Sequence, residues 1–383
     1  MTDIQTPLAL LGGLSAQTFM QRHWQRKPLL VRQAIPTSGL AATPSRARLF
    51  ALAADEEVES RLIVQKAGDW SMRSGPVARR ALPSLTQPDW TLLVQGVDLH
   101  DDAAHGLLNQ FRFVPGARLD DLMVSYASDG GGVGPHFDSY DVFLLQTSGR
   151  RRWRIGRQKN LALREGMPLK ILADFEPEQE FILEPGDMLY LPPRYAHEGV
   201  AVGGDCITCS IGFRAPRRDE MAREMLERLA QDAVDEEVES KLYSDAATPA
   251  VENPGAVPQG LRDFAEAAVT RLLQDRDALP RALGEYLTEP KPNVWFDGIE
   301  GFDEEEDDIP LTRLRLDRRT RMLYDERHIF INGESYRAAG RDARLMRELA
   351  DRRTLDDDAL ANASEDARSL LRSWCVAGWA HNH

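Results

Sequence analysis

The sequence predicts a β-sandwich or barrel core with a helical N-terminal flank, then a helical stretch, then a small module of strands and helices. Three observations carry this expectation. Up to about residue 215, short apolar runs rich in β-branched and aromatic residues alternate with Gly- and Pro-containing turns, the mark of an antiparallel all-β domain. Beyond residue 216 the apolar spacing changes to that of amphipathic helices. Past residue 310 short apolar runs return, with an Asn-Gly pair between two of them.

In chain order, helical patches at Ser15–Trp24 and Ser45–Ser60 form the flank. The runs MVSYAS, DVFLLQ, RRRWRIG, EFILEPGDMLYLPP and CITCSIGF read as strands separated by turns. In the helical stretch, Met221, Met225, Leu226 and Leu229 fall on one face after the start signals Pro216 and Asp219. The run AATPAVENPGAVPQG (246–260) reads as a loop. Helices are expected at Leu261–Gln274, near Leu279–Leu287, at about 341–352 and at about 365–379. Leu314–Leu316, Met322–Tyr324 and the run from His328 read as strands, with a turn at Asn332-Gly333. The acidic run Asp303–Asp308 reads as a solvated loop. These changes of character divide the chain at about 1–215, 216–288 and 289–383.

Composition narrows the function. The 383 residues are 42% hydrophobic and 28% charged, which is ordinary for a globular protein and sufficient for a core without staples. No apolar run is long enough to span a membrane, and no basic residue precedes the short apolar N-terminal stretch as in a secretory signal. Three cysteines, Cys206, Cys209 and Cys375, cannot build a disulfide framework, and a reducing cytoplasm is the plain reading. The Cys206-x-x-Cys209 pair lies in a strand-like run with no second pair, and reads as buried structural thiols. A net charge of −14 opposes nucleic-acid binding and suits solubility or a basic partner.

The chemistry concentrates in two segments. In DGGGVGPHFD (129–138), His136 and Asp138 are two residues apart at the start of an apolar strand, and so share one face. In EPGDMLYLPPRYAH (184–197), a turn, a short strand and a Pro-Pro stop precede His197. The 58 residues between Asp138 and His197 allow several strands before the chain returns beside the first. Two histidines and one carboxylate so placed form the facial triad of a non-haem Fe(II) centre, which leaves the opposite coordination positions open. The remaining histidines, His23, His100, His105, His328, His381 and His383, have no such companions and read as surface or structural groups. In the strand GRRRWRIG (149–156), Arg151 and Trp153 face opposite to Arg150, Arg152 and Arg154. An inward Arg needs an anion, and Arg151 is the best candidate to anchor a dicarboxylate. Ser125, on MVSYAS, could point inward to the same carboxylate.

Together these residues resemble the JmjC-type 2-oxoglutarate oxygenases, specifically the bacterial ribosomal oxygenases. GGGVGPHFDSYDVFLLQTSGRRRWRIG and EPGDMLYLPPRYAHEGVA look like that group's core, and HWQRKPLLVRQA (23–34) and EPKPNVWF (289–296) look like its flanks. The resemblance implies a double-stranded β-helix of the cupin/jelly-roll type over 1–215, a helical dimerisation domain over 216–288 and a winged-helix-like domain over 289–383. It implies Fe(II) at His136, Asp138 and His197, 2-oxoglutarate held by Arg151 with Ser125, and dioxygen as co-reactant. It further implies hydroxylation of an arginine β-carbon in a basic large-subunit ribosomal protein, the sixteenth of its series, by a homodimer; the lack of an apolar span argues against a membrane partner, and the acidic run and net charge of −14 against direct DNA binding. Asp129 and Tyr140 are the weakest assignments, as substrate-pocket residues. Two alternatives stand beside this reading: the same chemistry on a histidine or a small molecule, and a non-catalytic metal-binding cupin-like module.

Overall fold

The computed structural model describes residues 3–235, 242–246, 249–250, 252–299 and 311–382. The acidic run Asp303–Asp308 lies outside the described residues. The chain forms two compact units, Met1–Ala215 and Pro216–His383.

The first unit is built on one nine-stranded sheet. Its strands are β1 (Leu29–Val31), β2 (Ser60–Lys66), β3 (Asp69–Ser74), β4 (Trp90–Val94), β5 (Leu119–Ala127), β6 (Val142–Gly156), β7 (Gln179–Leu183), β8 (Met188–Leu191) and β9 (Ala196–Phe213). They run in the order β1-β8-β6-β9-β5-β4-β2-β3, with β7 beside the far half of β6. Pairing is antiparallel throughout, and the fold is the cupin-type double-stranded β-helix. Helices α1 (Ala16–Arg22), α2 (Arg46–Leu52) and α3 (Asp102–Asn109) flank it, each started by a side-chain cap, from Ser15, Ser45 and Asp101 respectively. The second expected helical patch is shorter than its sequence suggested: α2 stops at Leu52, and Ser60 already begins β2.

Two expected strands are one. DVFLLQ and RRRWRIG form the single 15-residue strand β6, and the residues between them make a bulge where a turn was expected. Register against β9 shifts between Gln146 and Ser148, and again between Ser148 and Arg150. The bulge changes which face each residue takes. Before it, odd-numbered Phe143 and Leu145 enter the large core around Phe19, Tyr190 and Phe213, while even-numbered Val142 and Leu144 line a cavity. After it, odd-numbered Arg151 and Trp153 line that same cavity. The sheet thus separates a closed apolar core from a polar cavity, and the bulge delivers the basic residue to the cavity side.

The second unit begins with α4 (Arg218–Asp235), α5 (Gln259–Leu272) and α6 (Ala278–Thr288). On α4, Met225 and Leu229 are buried, whereas Leu226 is 55% exposed, a quarter-turn away from the buried stripe. The strands β10 (Leu314–Leu316), β11 (Met322–Tyr324), β12 (His328–Ile331) and β13 (Glu334–Arg337) follow. Then come α7 (Gly340–Arg352), β14 (Thr354–Leu355), α8 (Asp357–Ala361), α9 (Glu365–Val376) and β15 (Ala380–Asn382). Asn332 and Gly333, both at positive φ, join β12 to β13 as a tight hairpin; the polar strand β13 itself has no apolar signal in the sequence. A second core, around Leu314, Ile329, Leu349, Leu371 and Trp374, closes this unit. Among the described residues no helix is long and apolar enough to cross a membrane.

Candidate metal centre

The cavity has a volume of about 410 Å³ and lies wholly in the first unit. Inward residues of β2, β4, β5, β6 and β9 form its walls, and the approach to β6 closes one side. His136 and Asp138 sit in that approach, ahead of the first residue of β6, and not within the strand as the sequence suggested. A two-way backbone bridge fixes them nonetheless: His136 N–H donates to His197 O at 2.9 Å and His197 N–H donates to His136 O at 2.8 Å. His197 lies just past the short strand β8 and is the second residue of β9, so a long strand holds it.

The three side chains converge. His136, Asp138 and His197 each present a ligand atom within 4.8 Å of the others, the only such His, Cys or carboxylate group of three among the described residues. The imidazole centroids are 4.2 Å apart, and His197 Nε2 is 3.7 Å from Asp138 Oδ2. Both rings are oriented from behind. His136 Nδ1 lies 2.9 Å from Gly134 O, and His197 Nδ1 lies 2.9 Å from Tyr195 O. A carbonyl can only accept, so each Nδ1 carries the proton and each Nε2 keeps its lone pair for a cation. Burial, and then the neighbouring His136, push His197 down from 6.5 to about 4, so this ring is neutral at physiological pH despite Asp138. Two imidazole Nε2 atoms and a carboxylate brought together suit a divalent metal that favours nitrogen and oxygen.

Trp153 packs its ring 5.9 Å from that of His197. It can do so because its cross-strand partner is Gly199; a Cβ there would fall 2.7 Å from the indole. Next to it, Arg151 is 4% exposed. Its Nε donates to Cys206 Sγ at 3.4 Å, and its Nη2, fully buried, has no hydrogen-bond partner. A guanidinium nitrogen left without a hydrogen-bond partner beside the cavity is free to pair with an anion. Ser125, also buried, lines the same wall and donates only a long bond of 3.4 Å to Thr208 O. Thus all five site residues read from the sequence meet in one cavity.

Of the two weakest assignments, Tyr140 lines the cavity and Asp129 does not. Burial, then the charges of Asp138, Asp121 and Asp120, raise the Tyr140 phenol. Asp129 instead accepts from the Gly203 amide at 2.7 Å and pins a turn. Several lining residues had gone unread. Thr208 and Ser210 share the face of Cys206 on β9, a period-two signal present in CITCS but overlooked beside the Cys-x-x-Cys spacing. Asp120, Asp121 and Lys170 carry no motif, and only the fold brings them to the cavity.

Comparison with known proteins agrees with this architecture. The JmjC-domain family model matches residues 106–221, and that of the ROXA-like winged helix matches 271–381. The ribosomal protein uL16 3-hydroxylase of Escherichia coli K12 is 32% identical over 92% of this chain and 93% of its own. A probable ribosomal oxygenase of Haemophilus influenzae is 36% identical over 53% of this chain and 50% of its own. The E. coli ribosomal oxygenase YcfD in complex with cobalt and 2-oxoglutarate superposes with a TM-score of 0.78 at 29% identity, covering 96% of this chain and 98% of that one.

Proposed function

The chain belongs to the JmjC-domain ribosomal oxygenases, the family of the E. coli uL16 3-hydroxylase, and from that membership we propose that it hydroxylates an arginine side chain at the β-carbon in ribosomal protein uL16. It is an Fe(II)- and 2-oxoglutarate-dependent protein hydroxylase. The observation that carries the residue assignment is the convergence of His136, Asp138 and His197 beside the unpaired Nη2 of Arg151.

His136, Asp138 and His197 would hold the iron, their Nδ1–H bonds to backbone carbonyls keeping each ring in register. Bound there, iron supplies the dioxygen chemistry: one oxygen atom enters the substrate C–H bond and the other enters succinate, as 2-oxoglutarate loses carbon dioxide. Arg151 pairs with the distal carboxylate of 2-oxoglutarate, and Ser125 donates to it. Trp153 covers His197 and excludes water from one side. Asp120 and Asp121 bring carboxylates to the cavity lining and Tyr140 a neutral phenol hydroxyl, groups that suit a substrate guanidinium. The net charge of −14 favours encounter with a basic ribosomal protein.

The same reading makes the protein a cytoplasmic homodimer organised as a catalytic domain (1–215), a helical dimerisation domain (216–288) and a winged-helix-like domain (289–383). Exposed Leu226 on α4 and Leu261, Val269 and Leu273 on and beside α5 support a second copy as the partner of these helices. No DNA partner is proposed. Intact-mass spectrometry of large-subunit ribosomal proteins, from cells with the protein, without it and with His136→Ala, tests the function. A single oxygen-atom gain on uL16, lost in both controls, is expected. An oxygen gain on a different protein would replace the target, and no gain anywhere would overturn the ribosomal role.

A further inference from the structure

Behind Arg151 lies a buried polar cluster that the triad does not use. Cys206 is fully buried, and its sulfur receives the Arg151 Nε–H at 3.4 Å. The same sulfur receives Gln146 Nε2 at 3.4 Å. Gln146, also fully buried, donates to Ser148 O at 2.6 Å and accepts from Thr208 Oγ1 at 2.9 Å. The cluster exists because of the β6 bulge. Gly149 has a φ of +62°, and a Cβ there would lie 2.9 Å from Cys206 Cα and 2.8 Å from Asp205 O. Without a side chain at that point, β9 closes over β6 and the thiol comes to rest on the guanidinium.

A cysteine is an unusual partner for a buried arginine. A carboxylate would bind the Nε–H far more strongly, but it would also cancel the charge. A thiol is a weak, neutral acceptor. It fills the Nε position and fixes the planar fork without cancelling the positive charge; the buried Nη2 has no protein hydrogen-bond partner, and the guanidinium lies 5.8 Å over the Trp153 ring. We propose that Cys206, itself oriented by Gln146, is a positioning residue for Arg151: it fixes the angle and depth of the guanidinium, and so the affinity for, and the chain length of, the dicarboxylate that the cavity accepts. This inference rests on Arg151 being the 2-oxoglutarate anchor.

Calorimetric titration of 2-oxoglutarate into the Co(II)-loaded full chain tests it without turnover. Cys206→Ala is expected to weaken the dissociation constant about three- to tenfold, the size of one weak hydrogen bond to a charged group. It should also narrow the preference for 2-oxoglutarate over 2-oxobutyrate, which lacks the distal carboxylate. In an Arg151→Met background the same change should have no further effect, because its path runs through the guanidinium. Cys206→Ser, which restores an acceptor, should stay within about twofold of the wild type on that scale, and it carries the test if the alanine variant does not fold. If Arg151→Met weakens 2-oxoglutarate but Cys206→Ala does not, or if serine is as poor as alanine, the positioning role is wrong while the anchor stands. If Arg151→Met leaves the dissociation constant unchanged, the anchor itself is wrong.

Discussion

Two histidine–carboxylate arrangements in this molecule use the same residue types to opposite ends. In the second unit, Asp317 is buried and saturated: Arg319 Nε donates to it at 2.8 Å, His381 Nε2 lies 2.9 Å from its other oxygen, and the Arg319 amide adds a third bond at 2.8 Å. In the first unit, Asp138 stands 3.7 Å from His197 Nε2, too far for a hydrogen bond, and the ring Nδ1 atoms are spent on backbone carbonyls. The first arrangement is closed by its own partners. The second holds lone pairs toward a common point and leaves them there. Spacing between partners, more than their identity, separates a structural ion pair from a metal centre.

The largest expected effect lies in the open arrangement. Asp138→Ala should cut turnover of uL16 peptide by at least about a hundredfold and abolish Co(II) binding, with little loss of fold because the carboxylate is only loosely paired in the protein. Retained Co(II) affinity would show that the two histidines suffice and that the carboxylate belongs elsewhere. Arg151→Met comes next. Removing a charge-assisted pair should raise the KM for 2-oxoglutarate on the order of a hundredfold, about 3 kcal/mol; a change confined to kcat would move Arg151 from the cosubstrate to another step.

The closed arrangement predicts stability in place of turnover. Burial works against the Asp317 charge, but the bonds from Arg319 and His381 outweigh it and hold its carboxyl at about 2, below the ordinary 3.8. The folded state therefore prefers the ionised group. The stabilisation is fully present above pH 3.8 and is lost as pH falls through that value toward 2, amounting to about 2 kcal/mol. Asp317→Asn should thus speed amide exchange at Leu316 and Ala380 roughly thirtyfold at pH 7, with metal binding intact. Equal exchange in both proteins would mean that the pair contributes nothing net, as buried ion pairs sometimes do.

The same contrast explains what the sequence made legible. His136, Asp138 and His197 could be found because a fixed spacing and a Pro-Gly-Asp turn mark the return of the chain. The alternation in RRRWRIG assigned Arg151 and Trp153 to one face without any knowledge of the rest of the strand. What escaped was whatever depends on a break in regularity. The Thr-Ser-Gly segment reads as a turn, yet its glycine makes a bulge inside one long strand and rephases the cavity face. Cys206 stands in a Cys-x-x-Cys pair that reads as buried structural thiols, and both thiols are indeed free and buried, but Gln146 has no motif and the meeting of both with Arg151 exists only once that bulge is formed. Asp129 and Tyr140 looked alike as polar residues near the triad; backbone pairing turned one into a loop anchor and the other into a cavity wall. His381, read only as a surface or structural group, lies 2.9 Å from Asp317, a carboxylate partner 64 positions away that could not be read.

Ser125 offers the smallest effect and the finest test of the open arrangement. Its register partners, Leu93 on β4 and Thr208 on β9, both line the cavity, so its side chain has nowhere else to point. Its one bond in the protein, to Thr208 O at 3.4 Å, is at the limit of useful length and contributes little to the fold. A buried hydroxyl on so weak a bond is poised for a stronger acceptor, and the carboxylate proposed to pair with Arg151 is the nearest in kind. Ser125→Ala should therefore raise the KM for 2-oxoglutarate about two- to fivefold with the melting temperature unchanged. Combined with Arg151→Met, the two effects should be less than additive, since both act on the same carboxylate. Full additivity would assign Ser125 to the substrate side of the cavity, beside Asp121 and Tyr140, and would shorten the reach of Arg151's anion site to the β6–β9 wall alone.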